Sequence, residues 1–396
     1  MSAHETLANF VLLPELKLSR IVQEHRFGAR YECKRERHTE YCPKCATPSD
    51  STYDHRTIRV KDAPIRGSGV ALVIRKRRLW CKPCQKPFTE VVPGITKGKR
   101  HTERFVRALH WACENFVDLT RVRQAYHCSS GFLYEHYYRH LRRTLVERGN
   151  YPWPTKVGID EHAFRKHPQA GQTEFVTMIV DYDNARVREL VEGKTTGALV
   201  TTLAAIPMRE RVESVVLDLC DPFKKFAREF FPQARIVADK FHVIRLLNPA
   251  LFKRRREIAG SRADGRAKRL LVMSGHRLGY ERRHALLSFL KDYPELRELY
   301  EWKERLLRFY RIPDYYRAHK ALRKMTDEMS FSHLKEIQTL RRTLLKWREE
   351  ILNYFTTRLT NARTEGFNNK AKVVKRRAYG YKSFENYRLK VLTACG

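Results

Sequence analysis

The sequence predicts an α+β multidomain protein in which small zinc-binding and helical modules precede a domain built on a mixed β-sheet. Three observations lead to this fold class. Two C-x-x-C pairs lie within residues 1–97, at a spacing typical of a structural zinc site. From about residue 155, strand-like apolar runs alternate with segments of helical periodicity. A long stretch rich in Leu, Arg, Glu and Lys, without strand-like runs, then separates this sheet from the C-terminal segment.

The composition indicates a large folded chain with a polyanionic partner. The 396 residues are 42% hydrophobic, enough for about two to four domains. Lys and Arg total 79 against 44 Asp and Glu, a net charge of +35. This excess costs self-repulsion in the folded state, which the phosphates of a nucleic acid would offset. A ribosomal or membrane-surface protein is the alternative interpretation of the charge. Separately, no apolar run reaches the ~18 residues of a membrane span.

The N-terminal C-x-x-C pairs predict one structural Zn²⁺ ion. Each pair lets two thiolates reach one metal ion, and two pairs complete a tetrahedral shell. The nine cysteines and their pairing indicate reduced thiols in a cytosolic setting, without disulfides. A redox motif would need only one pair. The predicted ligands of this zinc-ribbon-like module are Cys42, Cys45, Cys81 and Cys84, and Cys33 and His38 lie near enough to substitute.

Residues 114–143 resemble a helix-turn-helix, with a break at 127–131 and with Ser129 or Ser130 as the N-cap of the second helix. A helix of this length can enter the major groove of DNA and contact base edges. A packing helix without any DNA contact is the alternative interpretation. The candidate DNA-binding side chains on the second helix are Arg139, Arg142 and Arg143.

The order of the central elements is three strands, helix, strand, helix, strand and helix. This order fits a mixed sheet covered by helices, the ribonuclease-H-like plan. Residues 245–355 read as an all-helical block, and 361–396 return to helix with a turn at 379–381. The predicted strands are 156–163, 173–182, 186–192, 212–219 and 235–239, with a hairpin turn at Asp183-Asn184 and with helices at 196–206 and 222–231.

Three carboxylates stand at positions suited to a divalent-metal site. Asp160 ends the apolar run of the first strand, and Asp218 ends that of the fourth. These strands are neighbours in the ribonuclease-H-like plan, so both carboxylates would project from one edge of the sheet. Glu365, which opens a polar helix, is the best third candidate. Two Mg²⁺ ions (or Mn²⁺) held by such acids can activate a nucleophile and stabilise the leaving oxygen of a phosphodiester.

Asp239 and His242 form an accessory pair after the fifth strand. His242 could orient a metal ligand or a phosphate, and the alternative is a buried histidine with satisfied hydrogen bonds. Asp239 could also replace Asp218 as the second metal ligand. The residues alone leave both questions open.

The helix that begins near Glu365 carries further polar side chains that suit a metal and phosphate site. Glu365, Asn368, Asn369 and Lys372 share one helix face. Asn is a poor helix former, so a purely structural helix gives no reason for two of them. Lys370 and the run 375–377 add positive charge for phosphates. The candidate DNA-binding residues of this segment are Asn368, Asn369, Lys372, Lys375, Arg376 and Arg377.

Together these motifs resemble the ISL-three family of bacterial insertion-sequence transposases, and the match runs through nearly the whole chain. The resemblance implies a ribonuclease-H-like catalytic domain with an Asp-Asp-Glu triad at Asp160, Asp218 and Glu365. It also implies a helical insertion before the Glu-bearing helix. Besides the cysteine pairs, it rests on Gly158-Ile-Asp-Glu161, Val216-Leu-Asp218-Leu, Ala238-Asp-Lys-Phe-His242-Val, Thr364-Glu-Gly-Phe-Asn-Asn-Lys370, Lys375-Arg-Arg and Tyr379-Gly-Tyr381.

The resemblance further implies metal-dependent cleavage and strand transfer of DNA, with terminal inverted repeats and target DNA as partners. Two ends must be paired, so a homodimer or larger assembly is expected, in the bacterial cytoplasm at the nucleoid and without a membrane. The predicted domains are 1–97 (zinc-binding module), 98–150 (helix-turn-helix), 151–248 (first part of the catalytic domain), 249–355 (helical insertion) and 356–396 (last part, with the Glu-bearing helix).

Three other classes of protein share some of these features. A non-catalytic DNA-binding regulator would have the charge, the zinc module and the helix-turn-helix, but would need no triad. A structure-selective nuclease on the same fold would cut DNA without joining it. A serine or tyrosine recombinase would form a covalent protein–DNA adduct, and we find no residue constellation for one.

Overall fold

The protein contains two compact units, each of which combines β-sheet and helix. The structure, a computed structural model, describes residues 13, 15–25, 28–37, 39–115, 118–167, 171–259 and 265–396. The first unit comprises residues 1–144 and 376–381, and the second comprises 145–375 and 382–396. Within the described ranges, no helix is long and apolar enough to cross a membrane.

A five-stranded sheet is the centre of the first unit. Its long strands follow the order β1-β2-β6-β5, and β7 pairs with β6 beyond the end of β2. The pair β2/β6 is parallel, and the other pairs are antiparallel. The strands are β1 (Leu16–His25), β2 (Gly28–Arg35), β5 (Thr52–Ile65), β6 (Ser68–Cys81) and β7 (Lys86–Thr89), with a separate short pair β3 (Glu40–Tyr41) and β4 (Pro48–Ser49).

Strand β6 is much longer than the apolar run 70–75 that the sequence marks. Apolar side chains at alternate positions, such as Leu72 and Ile74, pack into a core with Val60 and Leu16, while Val73 and Arg75 face outward. The strand continues through the basic segment to Cys81 because that segment pairs with both β5 and β7.

Three helices follow this sheet, α1 (Glu103–Asn115), α2 (Leu119–Ala125) and α3 (Ser130–Arg148). Asp118 caps α2 by accepting a hydrogen bond from the Arg121 backbone N–H at 2.8 Å. Ser129 does the same for α3, where the Phe132 N–H donates to its Oγ at 3.2 Å. The predicted break between these two helices, with a serine cap, is therefore confirmed.

The second unit is built on a mixed sheet in the order β10-β9-β8-β11-β12. Strands β8, β9 and β10 form an antiparallel meander, and β11 lies parallel to both β8 and β12. All five predicted strands and the hairpin after β9 are confirmed, as is the pairing of the first strand with the fourth. Their bounds are β8 (Lys156–His167), β9 (Gln172–Asp181), β10 (Arg186–Glu192), β11 (Ser214–Leu217) and β12 (Arg235–Ala238).

Helices cover this sheet and fill the rest of the second unit. Every residue of β11 is buried, as expected of a parallel strand covered on both faces. Among the described residues, 245–355 contain helices and no strand, as predicted. The helices are α4 (Thr196–Leu203), α5 (Asp221–Phe230), α6 (Lys240–Arg245), α7 (Asn248–Ala259), α8 (Gly265–Val272), α9 (Tyr280–Lys291), α10 (Pro294–Phe309), α11 (Tyr315–Met329), α12 (Lys335–Lys346), α13 (Arg348–Thr357), α14 (Ala362–Arg377) and α15 (Phe384–Ala394), with short 3₁₀ turns at Arg209–Arg211 and Gly275–Arg277.

Candidate active site and metal centre

Three aspartates lie side by side at one edge of the second sheet. Leu217 in β11 pairs with Ile159 in β8 on one side and with Ala238 of β12 on the other. The residue that follows each of these three is an aspartate, so the carboxylates come from three adjacent parallel positions. These aspartates are Asp160, Asp218 and Asp239.

Helix α14 reaches this edge because residue 158 has no side chain. A Cβ on Gly158 would lie 2.2 Å from Thr364 Oγ1 and 2.4 Å from Tyr182 Cε1. The Tyr182 hydroxyl is within hydrogen-bond distance of Thr364 Oγ1, at 2.9 Å, and donates to the Thr360 carbonyl at 2.9 Å. The Thr364 contact thus lies two residues before Asp160 on β8 and one residue before Glu365 on α14.

Two asparagines of the Glu-bearing segment hold the two metal-ligand candidates. Asn361 Nδ2 donates to Asp218 Oδ1 at 3.0 Å, and Asn368 Nδ2 donates to Asp160 Oδ2 at 2.7 Å. Glu365 follows Asn361 by four residues and precedes Asn368 by three, so all three lie on one helix face. The glutamate is therefore on the face that meets both aspartates, and its own side chain is exposed.

The electrostatics of Asp160 are those of an acid that lacks a counter-charge. Burial, followed by the charge of nearby Asp218, raises the pKa of Asp160 to about 7. The hydrogen bond from the Glu161 backbone N–H, at 2.7 Å, and the field of His242 act in the opposite direction. A bound divalent cation would relieve both the burial cost and the repulsion between the two carboxylates.

His242 bridges the other two aspartates. Its Nε2 lies 2.9 Å from Asp218 Oδ2, and its Nδ1 lies 3.1 Å from Asp239 Oδ2. Hydrogen bonds to Asp218 and then to Asp239 raise the pKa of His242 to about 10, so the ring is a cation that donates from both nitrogens. Although burial opposes it, hydrogen bonding from His242 and from the Asn361 N–H lowers the pKa of Asp239. The side chain of His242 is 46% exposed, unlike the buried histidine considered above.

A second histidine, His162, is connected to Asp160 through Asn368. The Nδ2 group of Asn368 donates to Asp160. The Oδ1 atom of Asn368 therefore accepts a hydrogen bond from His162 Nδ1 at 2.9 Å. His162 Nε2 then accepts from the Tyr387 hydroxyl at 2.7 Å. Burial lowers the pKa of His162 to about 4, so the ring is neutral. A neutral ring donates from Nδ1 and accepts at Nε2, as in the two hydrogen bonds above. The chain of hydrogen bonds connects α15 to the first aspartate.

The donor set suits hard divalent cations, which prefer carboxylate oxygens. Asp218, Asp239 and His242 bring their ligand atoms within 4.8 Å of one another. This group includes neither Asp160 nor Glu365, so the joint metal site of Asp160, Asp218 and Glu365 stays a prediction. Both oxygens of Asp239 and both oxygens of Asp218 have partners among Asn361 and His242. The two acids differ in exposure, because Asp239 is 2% exposed whereas the side chain of Asp218 is 17% exposed.

The four predicted zinc ligands of the first unit do come together. Their sulfurs all lie within 4.8 Å of one another, with Cys42 Sγ 3.9 Å from Cys84 Sγ and Cys45 Sγ 3.4 Å from Cys81 Sγ. A tetrahedral zinc ion with bonds of about 2.3 Å separates its sulfurs by about 3.8 Å. The N-terminal module thus carries a zinc-ribbon-like cysteine cluster.

The backbone turns sharply after each of the two cysteine pairs that supply the four sulfurs. The residue after each C-x-x-C pair, Ala46 or Gln85, has a positive φ of 56° or 51°, which turns the chain back beneath the sulfurs. Cys33 is buried in the sheet core instead, and burial raises the pKa of its thiol to about 12. His38 lies outside the described residues. All nine cysteines are described, and none forms a disulfide.

The predicted DNA-binding residues differ in how far their side chains are exposed. Arg139, Arg142 and Arg143 are exposed on α3, whereas Tyr137 beside them is buried. Lys375 donates to the Ala163 carbonyl at 2.6 Å, and Asn368 is hydrogen-bonded to Asp160 and His162. Their DNA contacts stay predictions. The remaining predicted residues, Asn369, Lys372, Arg376 and Arg377, are exposed along α14.

Two protein families match this chain. One, described as a transposase family, matches residues 157–391, and the other, described as the zinc-finger of transposase IS204/IS1001/IS1096/IS1165, matches residues 38–84. The chain belongs to the ISL-three family of transposases. A relative, the transposase for insertion sequence element IS1001 of Bordetella parapertussis, is 25% identical over 375 residues, which cover 89% of this chain and 88% of the relative.

Within this ISL-three transposase, the matched ranges contain both constellations described above. Residues 157–391 include the three aspartates, His242 and Glu365, and residues 38–84 include the four cysteines. Sequence reasoning missed the residues that hold these side chains in place. Asn361 could have been found, because it lies on the same helical face as Glu365 and Asn368. Nothing in the local pattern identifies Tyr182, His162 or Tyr387, because their partners are more than 150 residues away.

Proposed function

We propose that this protein is the transposase of an insertion sequence, which binds terminal inverted repeats and performs metal-dependent cleavage and strand transfer. The observation that carries the proposal is the arrangement at the sheet edge. Asp160 and Asp218, on adjacent parallel strands, are each held by an asparagine of the segment that carries Glu365. A DNA-binding regulator or a serine or tyrosine recombinase would not require two close carboxylates with a third acid on the same helix face, and a nuclease on the same fold is distinguished by the test below.

We propose a ribonuclease-H-like fold for the second unit. The support is the strand order, an antiparallel three-stranded meander followed by two strands parallel to the first. The long helical segment between β12 and α14 then corresponds to an insertion, which leaves the Glu-bearing helix to return to the sheet edge.

Each residue of the site has a distinct proposed role. Asp160, Asp218 and Glu365 would hold two Mg²⁺ or Mn²⁺ ions, which when bound activate water or a 3′-hydroxyl and stabilise the leaving oxygen. His242, held by Asp239, fixes the orientation of Asp218 and partly neutralises its charge. Asn368 orients Asp160, so we expect it to influence DNA cleavage through that carboxylate. The exposed cations on α14 would hold phosphates.

We propose that DNA is bound through the first unit, by the zinc module and by α2 and α3 as a helix-turn-helix. The support is the serine-capped α3 with its exposed Arg139, Arg142 and Arg143, and the net charge of +35. Because both element ends must be brought together, a dimer or larger assembly is part of this proposal.

The test uses linear DNA that carries the protein's own element end, with Mg²⁺, Mn²⁺ or a chelator. Wild type is compared with Asp160→Ala, Asp218→Ala, Glu365→Ala and Asp239→Ala, and with Glu349→Gln as an exposed carboxylate control (76% exposed). We expect metal-dependent cleavage at the element boundary that the first three substitutions abolish. Asp239→Ala should leave measurable cleavage, and the control should equal wild type.

Tight sequence-specific binding without cleavage under any metal, even with paired ends, would instead support the DNA-binding regulator. Cleavage that ignores the terminal repeats would support a nuclease. Abolished cleavage in Asp239→Ala, with full activity in Asp218→Ala, would exchange the proposed roles of these two aspartates.

A further inference from the structure

We propose that the outward face of the β1-β2-β6-β5 sheet is a DNA-binding surface that contacts the phosphate backbone. The inference rests on the proposed function, because it assumes that DNA is the partner of the first unit. It goes further by locating the contact on a sheet face that is distinct from the cysteine cluster and from α3.

The two faces of this sheet differ in charge. One face carries the apolar core, in which Leu72 and Ile74 of β6 pack with Val60 of β5 and Cys33 of β2. Successive residues of a strand point to opposite faces. The residues between these core positions therefore face outward, and we call this set of positions the outward face.

Three cations stand in one row across the outward face. Lys17 of β1 pairs in register with Lys34 of β2, and Lys34 pairs with Arg75 of β6. All three side chains are exposed. Adjacent strands are about 4.8 Å apart, so the row places three positive charges across about 10 Å.

Such a row is unfavourable unless an anion covers it, because like charges directly opposite each other on neighbouring strands are destabilising. Lys17 has a partner, Glu36, at 3.3 Å, but Lys34 and Arg75 form no ion pair among the described residues. The next row contains Arg20 opposite Glu32, and Arg59 across Val73 from Glu32. The excess of cations over acids indicates a polyanionic partner.

Duplex DNA fits this surface better than an acidic protein. DNA carries about one negative charge per 1.7 Å of its axis, a density that matches closely spaced cations. The face also continues toward the proposed helix-turn-helix. Lys61 of β5, which lies on this face, donates from Nζ to the carbonyl of His127 at 2.5 Å, and His127 lies in the turn between α2 and α3. One duplex can therefore contact both features.

The test measures how the DNA affinity of the full-length protein depends on salt. The face variant is Lys17→Gln/Lys34→Gln/Arg75→Gln. The matched control is Lys225→Gln/Arg323→Gln/Lys324→Gln, which removes three exposed cations that each have an acid four residues later, at 3.9–4.0 Å. Both are assayed on element-end DNA and on unrelated duplex, with zinc content and thermal unfolding as checks of folding.

We expect the face variant to lower the slope of log affinity against log salt by about 2.7, since each phosphate contact contributes about 0.9. The loss should be equal on both DNAs, because phosphate contacts carry no sequence information. Its Tm should be no lower than that of wild type, since repulsion is removed. The control should keep the wild-type slope.

An unchanged slope in the face variant, or an equal change in the control, would overturn the surface assignment while element-end cleavage by wild type still supported the proposed function. Loss of affinity for an acidic protein partner with unchanged DNA binding would also overturn it. A wild-type protein that neither binds nor cuts element ends would instead refute the proposed function itself.

Discussion

Gly158→Ala tests whether close contact between α14 and β8 positions the proposed active site. The added methyl group would lie 2.2 Å from Thr364 Oγ1 and 2.4 Å from Tyr182 Cε1. Ordinary contact distances begin near 3.5 Å, so α14 and Tyr182 must move away by about 1 Å. A displacement of about 1 Å at a catalytic group costs on the order of 100-fold in rate. We expect element-end cleavage to fall by about that factor in single-turnover assays, while DNA binding is retained.

Overpacking should also lower the free energy of unfolding by about 1–3 kcal/mol. The matched control is Gly197→Ala in α4, where an added Cβ meets nothing within 4 Å. That substitution should leave cleavage unchanged and raise the stability by about 1 kcal/mol, because alanine is the better helix former. Wild-type cleavage by Gly158→Ala would refute the positioning argument, and loss of zinc together with DNA binding would show general unfolding instead.

Three further predictions concern the two metal sites. Because the pKa of Asp160 is raised to about 7, the stability it contributes to metal-free protein is complete below about pH 4 and is lost as the pH rises through 7. We therefore expect the increase in Tm on adding Mg²⁺ to grow across this window, and a pH-independent increase, or one retained in Asp160→Asn, would contradict the assignment. Asn368→Ala should lower the free energy of unfolding by about 1–3 kcal/mol, because it leaves the buried His162 N–H unsatisfied. Asn369→Ala, at an exposed helix position, should be at least as stable as wild type in chemical denaturation, because alanine is the better helix former; equal stability of the two variants would count against the network. Cys45→Ser should remove zinc and DNA binding together, while Cys220→Ser should retain both by metal analysis and filter binding, and full zinc content in Cys45→Ser would reject the four-cysteine site.

Local signals in the sequence were sufficient to predict the sheet that carries the proposed active site. The strands of the second unit are apolar runs bounded by turns, so periodicity locates them, and the parallel pairing of β8 with β11 is confirmed. The cysteine cluster was predictable for a similar reason, because C-x-x-C spacing is a local property. The Ser129 cap is also encoded within four residues.

What the sequence did not reveal depends on distant parts of the chain coming together. The need for glycine at 158 arises from Thr364 and Tyr182, which no local pattern connects to it. The hydrogen bond that His162 donates to Asn368 and the one that Tyr387 donates to His162 each join different elements. The length of β6 depends on its partners β2, β5 and β7, since strand pairing extends it into a basic segment that the apolar pattern alone does not mark.

The choice between Asp218 and Asp239 as second metal ligand, open on the residues alone, acquires a physical argument from the hydrogen bonds. Asp239 is 2% exposed, caps α6 through the His242 N–H, and holds the ring of the same histidine. Using it as a ligand would remove the cap and the anchor of His242 together. Asp218 is the acid whose charge raises the pKa of Asp160, so a cation shared by these two relieves an existing repulsion. We therefore propose Asp218 as the ligand, with Asp239 acting on it through His242.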